Sequence, residues 1–264
     1  MNDAGLNILV IALVSALGLA VGSFVNVIIF RLPRNKSLSR PRSFCPACET
    51  AIRWYHNVPI VSYIVLRGRC HNCRTPIPVR YPLVEMTTAA LFLIFFLRYG
   101  ISIATVGFWL FCAGLVAVFF IDLEHTIIPD KITLPGIVVG LVVAAVSDHI
   151  KVTSSILGIF AGGGSFLLIG WLGQKMFKKE SLGGGDIKLA AMMGAFIGPS
   201  RIFLVFVLSA VLGLLTSAVV LPISPRFRRE RMLPFGPFLV LAAFLVVFYG
   251  QDVIDWYWRR FLMR

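Results

Sequence analysis

The chain carries eight apolar runs, and no other feature restricts its fold as tightly. The runs cover residues 6–30, 83–100, 103–121, 132–147, 155–173, 187–199, 203–221 and 235–250. A bilayer core is about 30 Å thick, and a helix of ~20 apolar residues crosses it. The runs do not alternate apolar with polar residues, as the strands of a transmembrane barrel would. The expectation is therefore an all-α polytopic membrane protein with about eight transmembrane helices. Composition agrees, since 58% of the 264 residues are hydrophobic, 14% are charged and the mean hydropathy is +0.87. Those values exclude an ordinary soluble enzyme, a disordered chain and a secreted disulfide scaffold.

Charge sets the expected orientation. The formal net charge is +13, and most of the 25 Lys and Arg lie in the loops after the first, third, fifth and seventh runs. The positive-inside rule places those loops in the cytoplasm and the N-terminus outside. Residues 1–5 hold no Lys or Arg, and the run from Leu6 to Phe30 is too long for the core of a cleavable signal. It reads as a retained first helix. The tail from Trp256 to Leu262 mixes aromatics with Arg259 and Arg260, as an interfacial segment does. The excess of positive charge is assigned to topology and anionic membrane lipid, with no nucleic-acid partner. The sequence specifies no oligomeric state.

The loop between the first two runs holds four of the five cysteines, as Cys45-Pro-Ala-Cys48, then 21 residues, then Cys70-His-Asn-Cys73. Two Cys-x-x-Cys knuckles at such a separation are a zinc signal. Four thiolates close a tetrahedral site with no open position, which makes the metal structural. A polar loop of this size can hardly build its own core, so zinc would supply its folding free energy. Cys112 lies in an apolar run and reads as a packing residue.

Carboxylates at membrane depth are costly and are functional candidates by default. Asp122 directly follows Ala117-Val-Phe-Phe-Ile121, and Asp186 ends Gly183-Gly-Gly-Asp186 at the start of the sixth run. Span order puts both at the cytoplasmic boundary. Two neighbouring carboxylates at low dielectric share a proton, which is the acid–base pair that activates water on a peptide carbonyl. Gly183 and Gly185 let the backbone approach a substrate strand. Asp186 also suits a helix cap, and Asp122 the polar end of a helix. Asp130, after Pro129, is a rival or supporting carboxylate. Glu85 lies just inside the second run, placed to hold a polar group or an arginine. Gly162-Gly-Gly164 lies in an apolar run and reads as a close helix contact.

These motifs together resemble the bacterial prepilin peptidases, the type IV leader peptidases of the Gly-x-Gly-Asp intramembrane aspartic protease group. The resemblance runs through Gly22-Ser-Phe-Val-Asn-Val27, Arg31-Leu-Pro33, both cysteine pairs and Trp54-Tyr-His-Asn-Val-Pro-Ile60. It continues through Arg80-Tyr-Pro-Leu-Val-Glu85, Asp122 with Ile128-Pro-Asp130, Gly183-Gly-Gly-Asp-Ile-Lys188 and Pro234-Phe-Gly-Pro237. It implies Asp122 and Asp186 as the catalytic pair with Asp130 in support; Gly183, Gly185, Lys188 and Glu85 are expected as further supporting residues. It implies a bacterial inner-membrane enzyme that removes the basic leader of a prepilin or type II secretion pseudopilin after a glycine. It further implies N-methylation of the new terminus with S-adenosylmethionine, an activity associated with the cysteine loop. The domain expectation is a first helix at 1–30, a cytoplasmic zinc-binding loop domain at 31–82 and the protease domain at 83–264.

Three readings remain at this stage besides the bifunctional enzyme. One is a leader peptidase without methylation. Another is a transporter, since intramembrane carboxylates and glycine-broken helices also mark transport paths. The third is a zinc-dependent membrane scaffold without chemistry.

Overall fold

The computed structural model describes residues 3–178, 183–223 and 234–262. It contains α1 (Asp3–Arg31), α2 (Val61–Val65), α3 (Arg80–Tyr99), α4 (Ile103–His125), α5 (Asp130–Val146), α6 (Val152–Phe177), α7 (Gly184–Ile197), α8 (Pro199–Ile223) and α9 (Gly236–Tyr257). No strand is present among the described residues beyond two isolated bridges. Each of the eight apolar runs forms a helix, and the fold is all-α as expected. Among the described residues, six helices are long and apolar enough to cross a membrane. The other two, α5 and α7, have 17 and 14 residues. At 1.5 Å per residue they measure about 25 and 21 Å, short of a full hydrocarbon core. The tail beyond α9 winds on as one wide turn, Trp258–Leu262. Lys179 and the loop cations Arg226, Arg228, Arg229 and Arg231 lie outside the described residues.

The chain divides into two compact units, Met1–Ala117 and Val118–Arg264, with the boundary inside α4. In the first unit, α1 lies against α3 through two glycines one turn apart. A Cβ on Gly18 would fall 2.6 Å from Ala89 Cα, and one on Gly22 would fall 2.7 Å from Glu85 Cα. Small residues at this spacing let two backbones approach where water supplies no hydrophobic drive between helices. Helices α3 and α4 are joined by stacked aromatics, with Phe95 on Phe108 and Phe92 on Trp109 at 4.6 and 4.8 Å between centroids. The Trp109 indole N–H donates to the Phe92 carbonyl at 2.9 Å. That bond satisfies a polar group which would otherwise be stranded among apolar rings.

The loop after α1 is tied back by a single side chain. Arg31 is buried, and its guanidinium donates to the carbonyls of Ser37, Leu38, Pro41 and Arg42 at 2.7–3.3 Å. Its planar fork of donors suits several fixed acceptors at once.

In the second unit, α7 is the central element. Every residue from Leu189 to Ile197 is buried, as expected of a helix apolar on all sides. Helix α6 reaches it through Gly158 and Gly162, whose backbones touch those of Gly194 and Ala190. Of the triplet 162–164, Gly162 and Gly163 do pack closely, while Gly164 has open space. Helix α5 meets the same helix through Gly136, against Met192, and Gly140, against Ala195 and Phe196. The Ser155 hydroxyl donates to the Ala195 carbonyl at 2.7 Å and bridges α6 to α7. Gly198 takes φ +80 and ψ 174 between α7 and α8, a positive-φ conformation that glycine adopts without steric cost, and Pro199 opens α8.

Candidate active site

Asp122 stands in the last turn of α4. Its carbonyl still accepts from Thr126, which turns left-handed at φ +53 and stops the helix. Pro129 is then extended and leads into α5. Asp122 is buried at 5% exposure. Its Oδ2 accepts a hydrogen bond from the backbone N–H of Gly236 at 2.9 Å. Gly236 begins α9, and its amide belongs to the set of unpaired N–H groups at that helix terminus.

Asp186 occupies the first turn of α7. Its backbone N–H donates to the Gly183 carbonyl at 3.1 Å, and the Gly183 backbone in turn serves the Asp186 carboxylate. The carboxylate lies within electrostatic reach of Asp122. Burial, with the Asp122 charge second, pushes the Asp186 carboxyl up to about 6. Like charges that cannot both ionise cheaply titrate as one unit.

Ile128 packs between the two acidic corners. A Cβ on Gly185 would fall 2.8 Å from Ile128 Cβ, and a Cβ on Gly236 would fall 3.3 Å from Ile128 Cδ1 and 2.6 Å from Asp122 Oδ2. Both positions therefore admit only glycine without movement. Lys188 donates to Asp130 Oδ2 at 2.6 Å and ties α7 to the start of α5. The structure thus gathers Asp122, Asp186, Gly183, Gly185, Lys188 and Asp130 in one unit. Asp130 is engaged with lysine rather than with the other carboxylates. Gly236 contributes through its backbone, which no side-chain chemistry in the sequence announces; the segment Pro234–Pro237 is its only sequence sign.

Glu85 belongs to the first unit. It is buried and accepts from the Ile60 N–H at 2.8 Å and from the Ser23 side chain. Ile60 sits at φ +61, a backbone position costly for a β-branched residue. Glu85 therefore clamps a strained loop onto α3.

The four cysteines converge in the same unit. Their Sγ atoms all lie within 4.8 Å of one another. Cys45 and Cys73 Sγ are 3.8 Å apart, about the edge of a tetrahedron with 2.3 Å zinc–sulfur bonds. The two knuckles share one backbone plan. The Cys45 and Cys70 amides donate to Thr50 and Thr75, and their carbonyls accept from Glu49 and Arg74, both left-handed. Asn72 joins the knuckles by donating to Thr50 Oγ1 and Cys48 Sγ. The Thr50 hydroxyl first, and Asn72 with it, draw the Cys48 thiol down to about 6, which favours the thiolate that binds metal. The donor set fits zinc. His71 stacks on His56 at 4.4 Å.

Residues 16–99 match the bacterial peptidase A24 N-terminal domain, and residues 109–218 match the type IV leader peptidase family. The chain is 34% identical to a prepilin leader peptidase/N-methyltransferase of Neisseria gonorrhoeae over 94% of its own length and 92% of the relative's. It is 35% identical to that of Pseudomonas putida over 92% of each chain. Against that of Myxococcus xanthus it is 42% identical over 181 residues, which span 69% of this chain and 54% of the relative. No solved structure matches it. A buried aspartate on one helix end with a partly exposed one in reach of it, a four-cysteine loop and these matches have one common reading: the chain belongs to the type IV leader peptidase family.

Proposed function

We propose that this chain is a bifunctional inner-membrane enzyme that removes the leader of type IV prepilins or type II secretion pseudopilins and then N-methylates the new terminus. The observation that carries the first activity is the buried Asp122 with Asp186 in electrostatic reach. One carboxyl of the pair keeps a proton while the other is charged. The charged member takes a proton from water as its oxygen adds to the scissile carbonyl. The protonated member donates to the carbonyl oxygen, and collapse of the adduct delivers a proton to the leaving amine. The Gly236 amide fixes the orientation of one Asp122 oxygen throughout.

Lys188 and Asp130 position the start of α7, and Gly183 and Gly185 keep backbone approach open to an extended substrate. Zinc would be held by Cys45, Cys48, Cys70 and Cys73 and would fold the loop without taking part in chemistry. S-adenosylmethionine supplies an electrophilic methyl group when bound. The reading divides the chain into a first helix at 1–30, a zinc-binding cytoplasmic loop domain at 31–82 and a protease domain at 83–264. It places the N-terminus outside and the aspartates at the cytoplasmic boundary, on the charge asymmetry of the loops. Membrane lipid is the remaining partner.

The test is incubation of the purified protein with a prepilin in lipid, with and without S-adenosylmethionine. Intact-mass measurement is expected to show leader loss in both cases, and one added methyl on the mature terminus only with the donor. An intact prepilin in both would refute the reading.

A further inference from the structure

The segment from Thr50 to Val84 carries five arginines, Arg53, Arg67, Arg69, Arg74 and Arg80, and no Asp or Glu. At its middle stands the short helix α2. Ser62 is buried there and donates to the Tyr55 carbonyl at 3.1 Å. Val61, Ile64 and Val65 are 56, 67 and 71% exposed. Positions i, i+3 and i+4 share one side of a helix, so these three residues form a bare apolar face. Neither the aspartate pair nor the cysteine site uses it.

One contact sets the depth of that face. The Ile60 N–H, one residue before α2, donates to the Glu85 carboxylate at 2.8 Å. Glu85 is the sixth residue of α3, which is long and apolar enough to cross a membrane. At ~1.5 Å per residue it lies about 7.5 Å along the axis from Arg80. Its side chain leans back toward that end, which puts Ile60 level with the first turns of α3. Leu83 and Met86, on either side of Glu85 in the chain, are exposed, as side chains facing lipid are. Helix α1 passes the same level at Gly22, well before its own end at Arg31. The start of α2 therefore lies beside two spanning helices, not above their ends.

We propose that α2 is a membrane anchor for the cysteine loop: Val61, Ile64 and Val65 enter the acyl boundary of the bilayer, and Arg67 and Arg69 rest on anionic lipid phosphates around them. A lipid surface fits both the apolar face and the charge. Apolar faces at the interface sink ~5–10 Å toward the acyl chains. Arg67 and Arg69 are exposed, and arginines with no acid nearby in the chain match an anionic leaflet. A two-fold contact between copies of this chain would instead set arginine against arginine. The anchor is tied directly to the metal site. The Gly68 N–H donates to the Tyr63 carbonyl at 2.8 Å, and the Gly68 carbonyl accepts from Ile77 at 2.7 Å. Cys70 follows two residues later, so the second cysteine knuckle is held at a fixed height over the lipid.

The test uses the full-length, zinc-loaded protein in lipid nanodiscs. Photoreactive benzoylphenylalanine replaces Ile64 or, as a reference for lipid contact, Leu83. Mass spectrometry after illumination is expected to find phospholipid joined at both positions. Phospholipid at position 83 with none at 64, or a second copy of the chain joined at 64, would overturn the anchor. No lipid at either position would overturn the depth argument and the anchor with it. Trypsin then reads the arginines. Cutting after Arg67 or Arg69 is expected to run at least about fivefold slower in phosphatidylglycerol discs than in phosphatidylcholine discs. Equal rates would overturn the phosphate contacts. Ile64→Asp is expected to speed the cutting about tenfold in both lipids with zinc content unchanged, and an unchanged rate would overturn the insertion. If that variant loses its zinc, the cross-link decides alone.

Discussion

The backbone amide of Gly236 donates to Oδ2 of Asp122 at 2.9 Å, so the first residue of α9 holds a carboxylate on the last turn of α4. The contact is close enough that position 236 has no room for a side chain. A methyl group there would lie 2.6 Å from the same oxygen. Gly236→Ala is therefore expected to insert normally and to lower prepilin cleavage roughly 10- to 100-fold, since overpacking costs ~1–3 kcal/mol and each 1.4 kcal/mol is tenfold. Single-turnover cleavage rates check this, and a wild-type rate would remove Gly236 from the site.

The Lys188–Asp130 pair is half-exposed, with side chains 40% and 52% accessible. Such pairs contribute ~0.2–1 kcal/mol. Lys188→Ala and Asp130→Ala should each slow cleavage only about two- to fivefold. Exchanging the two residues for one another should recover most of that loss. A loss above a hundredfold in Asp130→Ala would promote it from positioning to chemistry.

Helix α6 touches α7 backbone to backbone at Gly158 and Gly194. Leucine at position 158 must push the helices apart, at a cost at or above the ~1–3 kcal/mol of ordinary core overpacking. The expected outcome for Gly158→Leu is loss of folded protein, read as a lowered thermal midpoint or loss of the monodisperse peak in detergent. Leucine at Gly164, which meets open space, should leave both unchanged. The contrast separates packing from general intolerance of bulk.

Metal analysis of purified protein should find one zinc per chain. Each of Cys45→Ser, Cys48→Ser, Cys70→Ser and Cys73→Ser should remove it and expose the loop to protease. His71→Ala should retain it, because that ring stacks on His56. Full zinc in any one cysteine variant would contradict the four-thiolate site.

Much of this molecule was legible in its sequence, and the rest was hidden for definable reasons. Apolar runs gave every long helix, because a bilayer leaves the backbone few alternatives. The run 187–199 was already visibly short, whereas 132–147 could not be told from 235–250, because both have 16 residues and only the latter continues as a 22-residue helix. Asp122 and Asp186 could be placed at one depth from charge asymmetry and span order. The Gly236 amide could not, because backbone donors carry no residue signature. Glu85 was visible as a buried acid, yet its partner, the Ile60 amide, is set by a loop conformation that propensity does not predict.

The central claim is that Asp122 and Asp186 act as one catalytic pair. The most direct test is the rate of leader removal from a purified prepilin by wild type, Asp122→Asn and Asp186→Asn, each reconstituted in lipid with its zinc retained. General acid–base groups contribute ~10²–10⁴-fold, so each variant should fall at least about a hundredfold, and the double variant little further. A wild-type rate in either single variant would contradict the account.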